Sequence, residues 1–331
     1  MMDRRTFLCG LTLGTLSAPL AAEAQQAQNA FRVAQLAIAA PTDIPPPPPA
    51  NWEGFVRGLR EVGYVEGENL AFIHRSAKGQ PELFPALAAD LARLGPDVIF
   101  ARGPEALRAA KNATRTIPIV AIDLETDPVV TGVVASWARP GGNVTGVFLD
   151  LAELTGKHVE LLREIVPRLS RIGVLGEPVS NASQLRAVKA AAGTLAVQTR
   201  MLEFRGLKDL DRAFQSATGW RSEAVIVLSS PLTNLYRKEI ADFAATRRLP
   251  AIYLYRVNVE AGGLMSYGPN LPDMFRRCGV YVGKILGGAR PGDLPIERPT
   301  RFELVINLKA AKTLGVTIPP SVLLRADQAI E

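Results

Sequence analysis

The chain carries the same succession of strand and helix patterns twice. Residues 32–36 open the first copy and residues 171–175 open the second, and two further apolar runs follow each opening in the same order. These runs are residues 97–101 and 117–122 in the first copy, and residues 224–228 and 249–254 in the second. Apolar runs that alternate with helical stretches are typical of βα units around a parallel sheet. The sequence therefore predicts two similar α/β lobes, and a cleft between two lobes is a common place for a small ligand.

The apolar periodicity places eight strands and three helical faces. The strands are predicted at about 32–38, 69–75, 97–101 and 118–123 in the first lobe, and at about 171–176, 197–204, 224–229 and 250–255 in the second. The helical faces are Trp52, Phe55, Val56 and Leu59; Leu83, Leu87, Leu91 and Leu94; and Ile240, Phe243 and Ala244. Proline and glycine in the segment 138–143 predict a loop where the first lobe passes to the second.

The first 24 residues have the pattern of an export signal. Arg4 and Arg5 precede an apolar run from Phe7 to Leu20 that is too short to span a bilayer, and small residues up to Ala24 form a cleavage site. The paired arginines resemble a twin-arginine signal, although the ordinary secretory route stays open. Cleavage near Ala24 removes Cys9 and leaves Cys278 alone, so no intramolecular disulfide can form. We expect a soluble periplasmic protein.

Charge and motifs argue against several function classes. The formal net charge is +6, but the basic residues are scattered and no basic run is interleaved with aromatic residues, so we expect no nucleic-acid partner. The two histidines, His74 and His158, do not occur in a metal-ligand pattern. A nucleophile elbow and a phosphate-binding loop are absent from the sequence, and the glycine cluster at 141–146 is interpreted as a hinge turn. We therefore expect no catalytic residues, no metal and no cofactor. The alternative of an exported α/β enzyme would need a clustered acid, base or nucleophile, and the sequence shows no such cluster.

Four segments resemble one protein family. Residues 134–146, with 126–129 before them, 109–114 further upstream and 302–312 near the end, resemble the ABC transporter substrate-binding protein family that includes tryptophan and tyrosine binders. The resemblance spans nearly the whole mature chain. It implies a type I periplasmic-binding-protein fold, an α/β fold of two Rossmann-like lobes with parallel central sheets and a three-stranded hinge. It also implies that the lobes close on a small ligand for delivery to a membrane permease, without catalysis.

On this fold we predict where the chain divides between the lobes. The first lobe is predicted to hold residues 30–124 and 270–291, and the second to hold residues 147–256 and 304–331. The predicted hinge crossings are residues 124–147, 256–270 and 291–304.

Ligand contacts are predicted at the carboxyl ends of the strands, where loops lead into helix N-termini. The loops concerned are 39–49, 102–105 and 123–126 in the first lobe, and 177–183, 229–233 and 253–256 in the second. Our candidate ligand-binding residues are Arg102, Gly103, Pro104, Asp123, Phe148, Glu177, Asn181, Ser183, Ser229, Ser230, Thr233 and Tyr253.

The roles of these residues remain open at the level of sequence. Serine, threonine and asparagine side chains can hold a carboxylate or simply cap a helix. Asp123, Glu125 and Glu177 suit an ammonium group, whereas Arg102 and Arg256 suit an acid. Phe148, Tyr253 and Tyr255 could stack on a planar ligand, but alternate residues of a regular strand face opposite sides, so at least one of the two tyrosines belongs to the core.

The prolines at 45–49 depart from the family pattern. This run replaces a compact first βα loop with a stiff polyproline segment. It is either an exposed loop feature, which we favour, or a rigid lip over the cleft that narrows the choice of ligand.

Together these observations predict a monomeric periplasmic solute receptor for an ABC permease of the inner membrane. The expected ligand is an amino acid or a small organic acid. The alternative is a ligand-sensing subunit that presents its closed form to a membrane signalling protein.

Overall fold

The computed structural model describes residues 30–40, 43, 49–149, 152–300 and 302–331. The predicted signal segment 1–24 and prolines 45–48 lie outside the described residues. The described chain forms two α/β lobes, as predicted, each built around one sheet.

The first lobe contains a five-stranded sheet with the order β2-β1-β3-β4-β5, in which all neighbours are parallel. Its elements are β1 (Phe31–Ala37), α1 (Ala50–Arg60), β2 (Leu70–Ser76), α2 (Phe84–Leu94), β3 (Val98–Arg102), α3 (Pro104–Ala113), β4 (Ile119–Asp123) and β5 (Val144–Phe148).

The second lobe contains a seven-stranded sheet with the order β12-β11-β10-β9-β8-β6-β7. The pairing of β10 with β11 is antiparallel, and the other neighbours are parallel. Its elements are α4 (Ala152–Ile165), β6 (Arg171–Gly176), α5 (Ala182–Thr194), β7 (Gln198–Glu203), α6 (Leu210–Gly219), β8 (Ala224–Val227), α7 (Pro231–Leu235), α8 (Arg237–Thr246), β9 (Ala251–Tyr253), α9 (Arg256–Glu260) and β10 (Met265–Pro269). After α10 (Leu271–Leu286) they continue with β11 (Phe302–Asn307), α11 (Leu308–Leu314), α12 (Pro320–Leu323) and β12 (Gln328–Ile330).

Helix α10 is covalently part of the second half of the chain but packs on the first lobe. Its Phe275 ring meets the Phe100 ring of β3 edge to face, with 5.7 Å between the centroids. The segment after α10 then runs beside β5, where Glu297 N donates to Gly146 O at 3.0 Å and Phe148 N donates to Glu297 O at 2.9 Å. The chain thus passes between the lobes after β5, between β10 and α10, and before β11.

The predicted crossing at 124–147 differs from the structure. Strand β5 belongs to the first sheet and pairs with β4, so this segment returns to its own lobe. The glycine cluster is accordingly not a hinge turn. Gly146 lies within β5 at a φ of +142°, and a Cβ atom there would stand 2.0 Å from Ala121 O of β4, so this close approach of two strands requires glycine.

The core explains which helical faces were predicted well. Trp52, Phe55 and Leu59 of α1 are buried, as expected from their spacing. The face predicted from Leu83, Leu87, Leu91 and Leu94 is correct for Leu91, which α2 buries together with Phe84 and Ala88, and wrong for Leu83 and Leu94. Leu83 precedes the first regular turn of α2 and Leu94 ends the helix, which leaves these two side chains 38% and 39% exposed.

Candidate functional site

A cavity of about 400 Å³ lies between the two lobes. This volume falls within the range that small-molecule sites occupy in proteins, roughly 300–1,000 Å³. The first lobe lines it with Ala37, Ile38, Ala39, Pro49, Ala50, Asn51, Trp52, Arg102, Gly103, Ile122, Leu124, Glu125, Leu271 and Phe275. The second lobe lines it with Pro231, Asn234, Leu235, Arg237, Tyr255, Val257, Glu260 and Ala261.

The position of the cavity follows from the topology. Strands β1, β3 and β4 end at Ala37, Arg102 and Asp123, and their carboxyl ends meet at one edge of the first sheet. In the second lobe, the segments after β8 and β9 supply Pro231 and Tyr255. Loops at the carboxyl edges of two parallel sheets therefore face each other across the cavity.

Arg102 is a positive group on the cavity wall. Its Nη1 donates to Ala39 O at 3.2 Å, and its guanidinium carbon lies 4.9 Å from the centroid of the Phe275 ring. Within the described part of the chain, no carboxylate forms an ion pair with it. Burial lowers the pKa of Arg102 to about 10, so the side chain stays charged at neutral pH and can receive an anion.

Two carboxyl groups lie together on the next strand end. Asp123 is 1% exposed and accepts the backbone N–H groups of Glu125 at 3.0 Å and Thr126 at 3.1 Å, together with the Thr126 hydroxyl at 2.5 Å. Glu125 lines the cavity, and its Oε1 accepts a long hydrogen bond of 3.5 Å from Ser229 Oγ. Burial, followed by repulsion from Asp123 and Glu105, raises the pKa of Glu125 well above its ordinary value. Burial also raises the pKa of Asp123, to about 6, but the donors on Asp123 favour its charged form, so Glu125 is the member of the pair that holds a proton.

Aromatic side chains give the cavity flat apolar walls. Trp52 stacks on Phe55 with 5.1 Å between ring centroids, and this contact fixes the indole at the start of α1. Phe275 lies beneath the Arg102 guanidinium, and Tyr255 enters from the second lobe. Such walls suit the apolar part of a small ligand, while Arg102 and Glu125 suit its polar groups.

The lobes touch each other in this structure. Ser180 Oγ of the second lobe donates to Glu105 Oε1 at 2.7 Å, and Ser183 Oγ donates to the Glu125 carbonyl oxygen at 3.2 Å. A Cβ atom on Gly103 would stand 2.7 Å from Pro231 Cγ across the cleft, so glycine permits this approach. These contacts describe a closed arrangement of the lobes.

The structure separates the predicted site residues into groups. Arg102 and Gly103 line the cavity, whereas Pro104 is the first residue of α3 and does not. Asp123 and Ser229 lie directly behind Glu125. Ser183 bridges the lobes, and Glu177 lies close to Ser230 and Glu105 but off the cavity wall.

Several predicted residues have structural roles within their own lobe. Ser230 and Thr233 form a reciprocal capping box at the start of α7. The Asn181 side chain accepts from Glu177 N at 2.8 Å and donates to Ser229 O at 2.6 Å, which ties two loops together. Phe148 and Tyr253 are strand residues, 0% and 1% exposed, and their side chains belong to the core. Of the two tyrosines, Tyr255 is the one on the cavity wall.

Other wall residues are only weakly indicated by the sequence. Trp52 was assigned to a helix core, which is correct for most of its surface, but it also lies in the first turn of α1 beside the cavity. Phe275 reaches the cavity because α10 returns to the first lobe, and Asn234 and Arg237 follow the α7 cap. No local sequence pattern indicates these positions. The rule that ligands contact the loops at the carboxyl ends of parallel strands, which we call the carboxyl-edge rule, indicates only the loops beside them.

The described residues contain no group of three or more His, Cys, Asp and Glu side chains arranged to hold a metal ion. Among the same residues, no helix combines the length and the apolar character needed to cross a membrane.

Comparisons with known proteins give a consistent result. The family model of the ABC transporter substrate binding proteins matches residues 46–330. The tyrosine-binding protein of Clostridioides difficile (strain R20291) is 26% identical over 269 residues, which cover 80% of this chain and 76% of that protein.

Two solved structures are similar over most of the chain. A conserved domain protein of Vibrio cholerae is 30% identical, with a TM-score of 0.81, over 91% of this chain and 99% of that one. An ABC domain of Streptococcus pneumoniae in complex with L-Trp is 25% identical, with a TM-score of 0.79, over 91% of this chain and 100% of that one. Because the family model covers most of the chain, this protein belongs to the ABC transporter substrate-binding proteins, a family of binding proteins and not of enzymes.

Proposed function

We propose that the chain is the periplasmic solute-binding component of an ABC importer. In this proposal it captures an amino acid or a small organic acid in the interlobe cavity by lobe closure. It then presents the closed form, as a monomer, to a permease of the inner membrane. The signal segment directs export and is cleaved near Ala24. Members of this family work outside the cytoplasm, which agrees with that segment.

The observation that carries the proposal is that the first lobe lines the cavity with both a basic residue, Arg102, and an acidic residue, Glu125. Arg102 lacks an acidic partner among the described residues and would receive a carboxylate. Glu125, with Asp123 and Ser229 behind it, would receive an ammonium or a hydroxyl group. Gly103 leaves room for the ligand and for Pro231 opposite. A small molecule that carries a carboxylate beside a second polar group fits this arrangement.

The walls and the relatives favour an apolar ligand body. Trp52, Tyr255 and Phe275 surround the space beside the two polar groups. A similar structure holds L-Trp and a similar protein binds tyrosine. Aromatic amino acids are therefore the first candidates, followed by aromatic and other small organic acids.

The test is a thermal-shift screen of the exported protein against amino acids and organic acids. A ligand present at a hundred times its dissociation constant stabilises the folded state by about 2.7 kcal/mol. We expect a clear rise of the melting temperature with at least one carboxylate-bearing compound. A panel of aromatic and aliphatic amino acids and acids at millimolar concentration that gives no shift would contradict the proposal.

A further inference from the structure

Four carboxyl groups gather where the lobes meet. Glu105, Asp123 and Glu125 come from the first lobe and Glu177 from the second, and we call them the carboxyl cluster. The lobes are joined across it by Ser180 Oγ on Glu105 Oε1 at 2.7 Å and by Ser229 Oγ on Glu125 Oε1 at 3.5 Å. Asp123 and Glu125 are 1% and 5% exposed, so closure removes carboxyl groups from water.

No Lys, Arg or His side chain of the described residues lies within ion-pair distance of the carboxyl cluster. Within the described residues, none of its four members takes part in an ion pair. Glu125 faces Asp123 on its own loop, Glu105 on α3, and the hydroxyls of Ser229 and Tyr255 from the second lobe. Glu177 faces Ser230 and, across the lobe boundary, Glu105. Arg102 instead donates to Ala39 O and covers Phe275.

Closing the empty receptor therefore brings Glu177 towards Glu105 and takes the carboxyl group of Glu125 out of water. Burial, with a further contribution from Glu105, raises the pKa of Glu177 to about 7. The pKa of Glu125 is raised for the same two physical reasons, burial and neighbouring carboxylates. In an open form, water solvates Glu125 and Glu177 and separates Glu177 from Glu105, so both pKa values move toward the ordinary range.

We propose that the carboxyl cluster is a proton-sensitive latch that opposes closure of the empty receptor at neutral and alkaline pH and permits it in acid. The inference rests on the proposed function, because it assumes that the lobes open and close around a ligand. It adds a regulatory role, because the negative charge of the carboxyl cluster keeps the ligand-free receptor open. The closed form is then populated mainly when ligand is bound.

The size and the sign of the effect follow from proton linkage. An acid whose pKa is raised in the closed form favours closure below its ordinary pKa, and this preference is lost as the pH rises through the raised value. For Glu177, a change from 4.5 to about 7 alters the closed-to-open ratio by up to about 300-fold between acid and alkaline pH. The raised pKa of Glu125 also favours the closed form in acid.

Small-angle X-ray scattering of the ligand-free protein at pH 5 and pH 8 tests the latch. We expect the wild type to have a smaller radius of gyration at pH 5 than at pH 8. Glu177→Gln should reduce this difference, and Glu125→Gln combined with Glu177→Gln should abolish it, with a compact form at both pH values. Glu82→Gln is the matched control, because Glu82 is an exposed glutamate outside the cluster, and it should behave as the wild type.

Three results would overturn the latch: equal radii of the wild type at both pH values, an undiminished pH difference in the double variant, or the same loss of the difference in Glu82→Gln. Melting curves of each variant show whether it is folded, and the single Glu177→Gln variant serves if the double variant is not. The experiment uses protons as its only probe. Its failure is therefore distinct from a failure of the ligand screen, which tests the proposed function.

Discussion

Replacing Gly58 by alanine should destabilise the first lobe, because α1 and α10 meet there backbone to backbone. A Cβ atom on Gly58 would stand 1.9 Å from Arg276 O, whereas real Cβ contacts essentially never fall below 3.0 Å. The two helices must therefore separate locally by about 1 Å. The obstacle is a backbone carbonyl and not a flexible side chain, so the cost lies near the upper end of the usual overpacking range, about 3 kcal/mol.

Alanine also has an intrinsic advantage over glycine in a helix, about 1 kcal/mol, which offsets part of this cost. The net expectation is a loss of about 2 kcal/mol in the free energy of unfolding, or roughly 4–8 °C in melting temperature for a lobe of this size. The separation would also disturb the cavity, since α1 carries Trp52 and α10 carries Phe275.

The assay is thermal unfolding of Gly58→Ala and of a matched control, Gly193→Ala. Gly193 lies in α5, and a Cβ atom there would meet nothing within 4 Å. The control should melt at or slightly above the wild-type temperature. If Gly58→Ala melts as high as the wild type, or if both variants lose the same stability, then the close packing of α1 on α10 does not determine the stability of the first lobe.

Three further predictions concern the site and its surroundings. Arg102→Met should weaken a carboxylate ligand by roughly 1.5–3 kcal/mol in titration calorimetry, because a charged hydrogen bond is lost, whereas Arg200→Met, which removes a guanidinium 5.1 Å above the ring of Trp220, should leave affinity unchanged. Thr233→Ala should cost about 1 kcal/mol of unfolding free energy through its lost cap and should leave ligand affinity unchanged; an affinity loss without a stability loss would make it a ligand contact. Burial lowers the pKa of His158 from 6.5 to about 4, so the unfolded chain binds a proton at this residue before the folded chain does as the pH falls. Between pH 7.5 and pH 5 the free energy of unfolding should therefore fall by about 2 kcal/mol more in the wild type than in His158→Gln. Denaturant titrations measure this difference, and equal losses in the two proteins would contradict the prediction.

The strands near the start of each lobe could be predicted because their apolar runs are bounded by turn residues. β1, β3, β6 and β8 lie within two residues of their predicted starts. β5, β10, β11 and β12 were not predicted as strands. β5 and β10 each contain glycine where the backbone approaches a neighbour, Gly146 on β4 and Gly268 against Leu254 O, and such positions weaken a strand pattern in the sequence.

The site could be predicted at the level of loops but not of side chains. The carboxyl-edge rule led to the loops around Arg102, Glu125 and Tyr255, which do meet at the cavity. It could not tell a helix cap from a ligand contact, because Ser230 and Thr233 satisfy each other only in the folded turn. It also could not place Phe275, since the return of α10 to the first lobe is a property of the topology and not of local sequence.

The proposed function requires that a small carboxylate ligand is held between the lobes by Arg102 and Glu125. A crystal structure of the complex with the compound that gives the largest thermal shift tests it directly. We expect the ligand in the interlobe cavity, with its carboxylate on the Arg102 guanidinium and its second polar group within hydrogen-bond distance of Glu125. A ligand bound outside this cavity, or within it but with its carboxylate turned away from Arg102, would contradict the account.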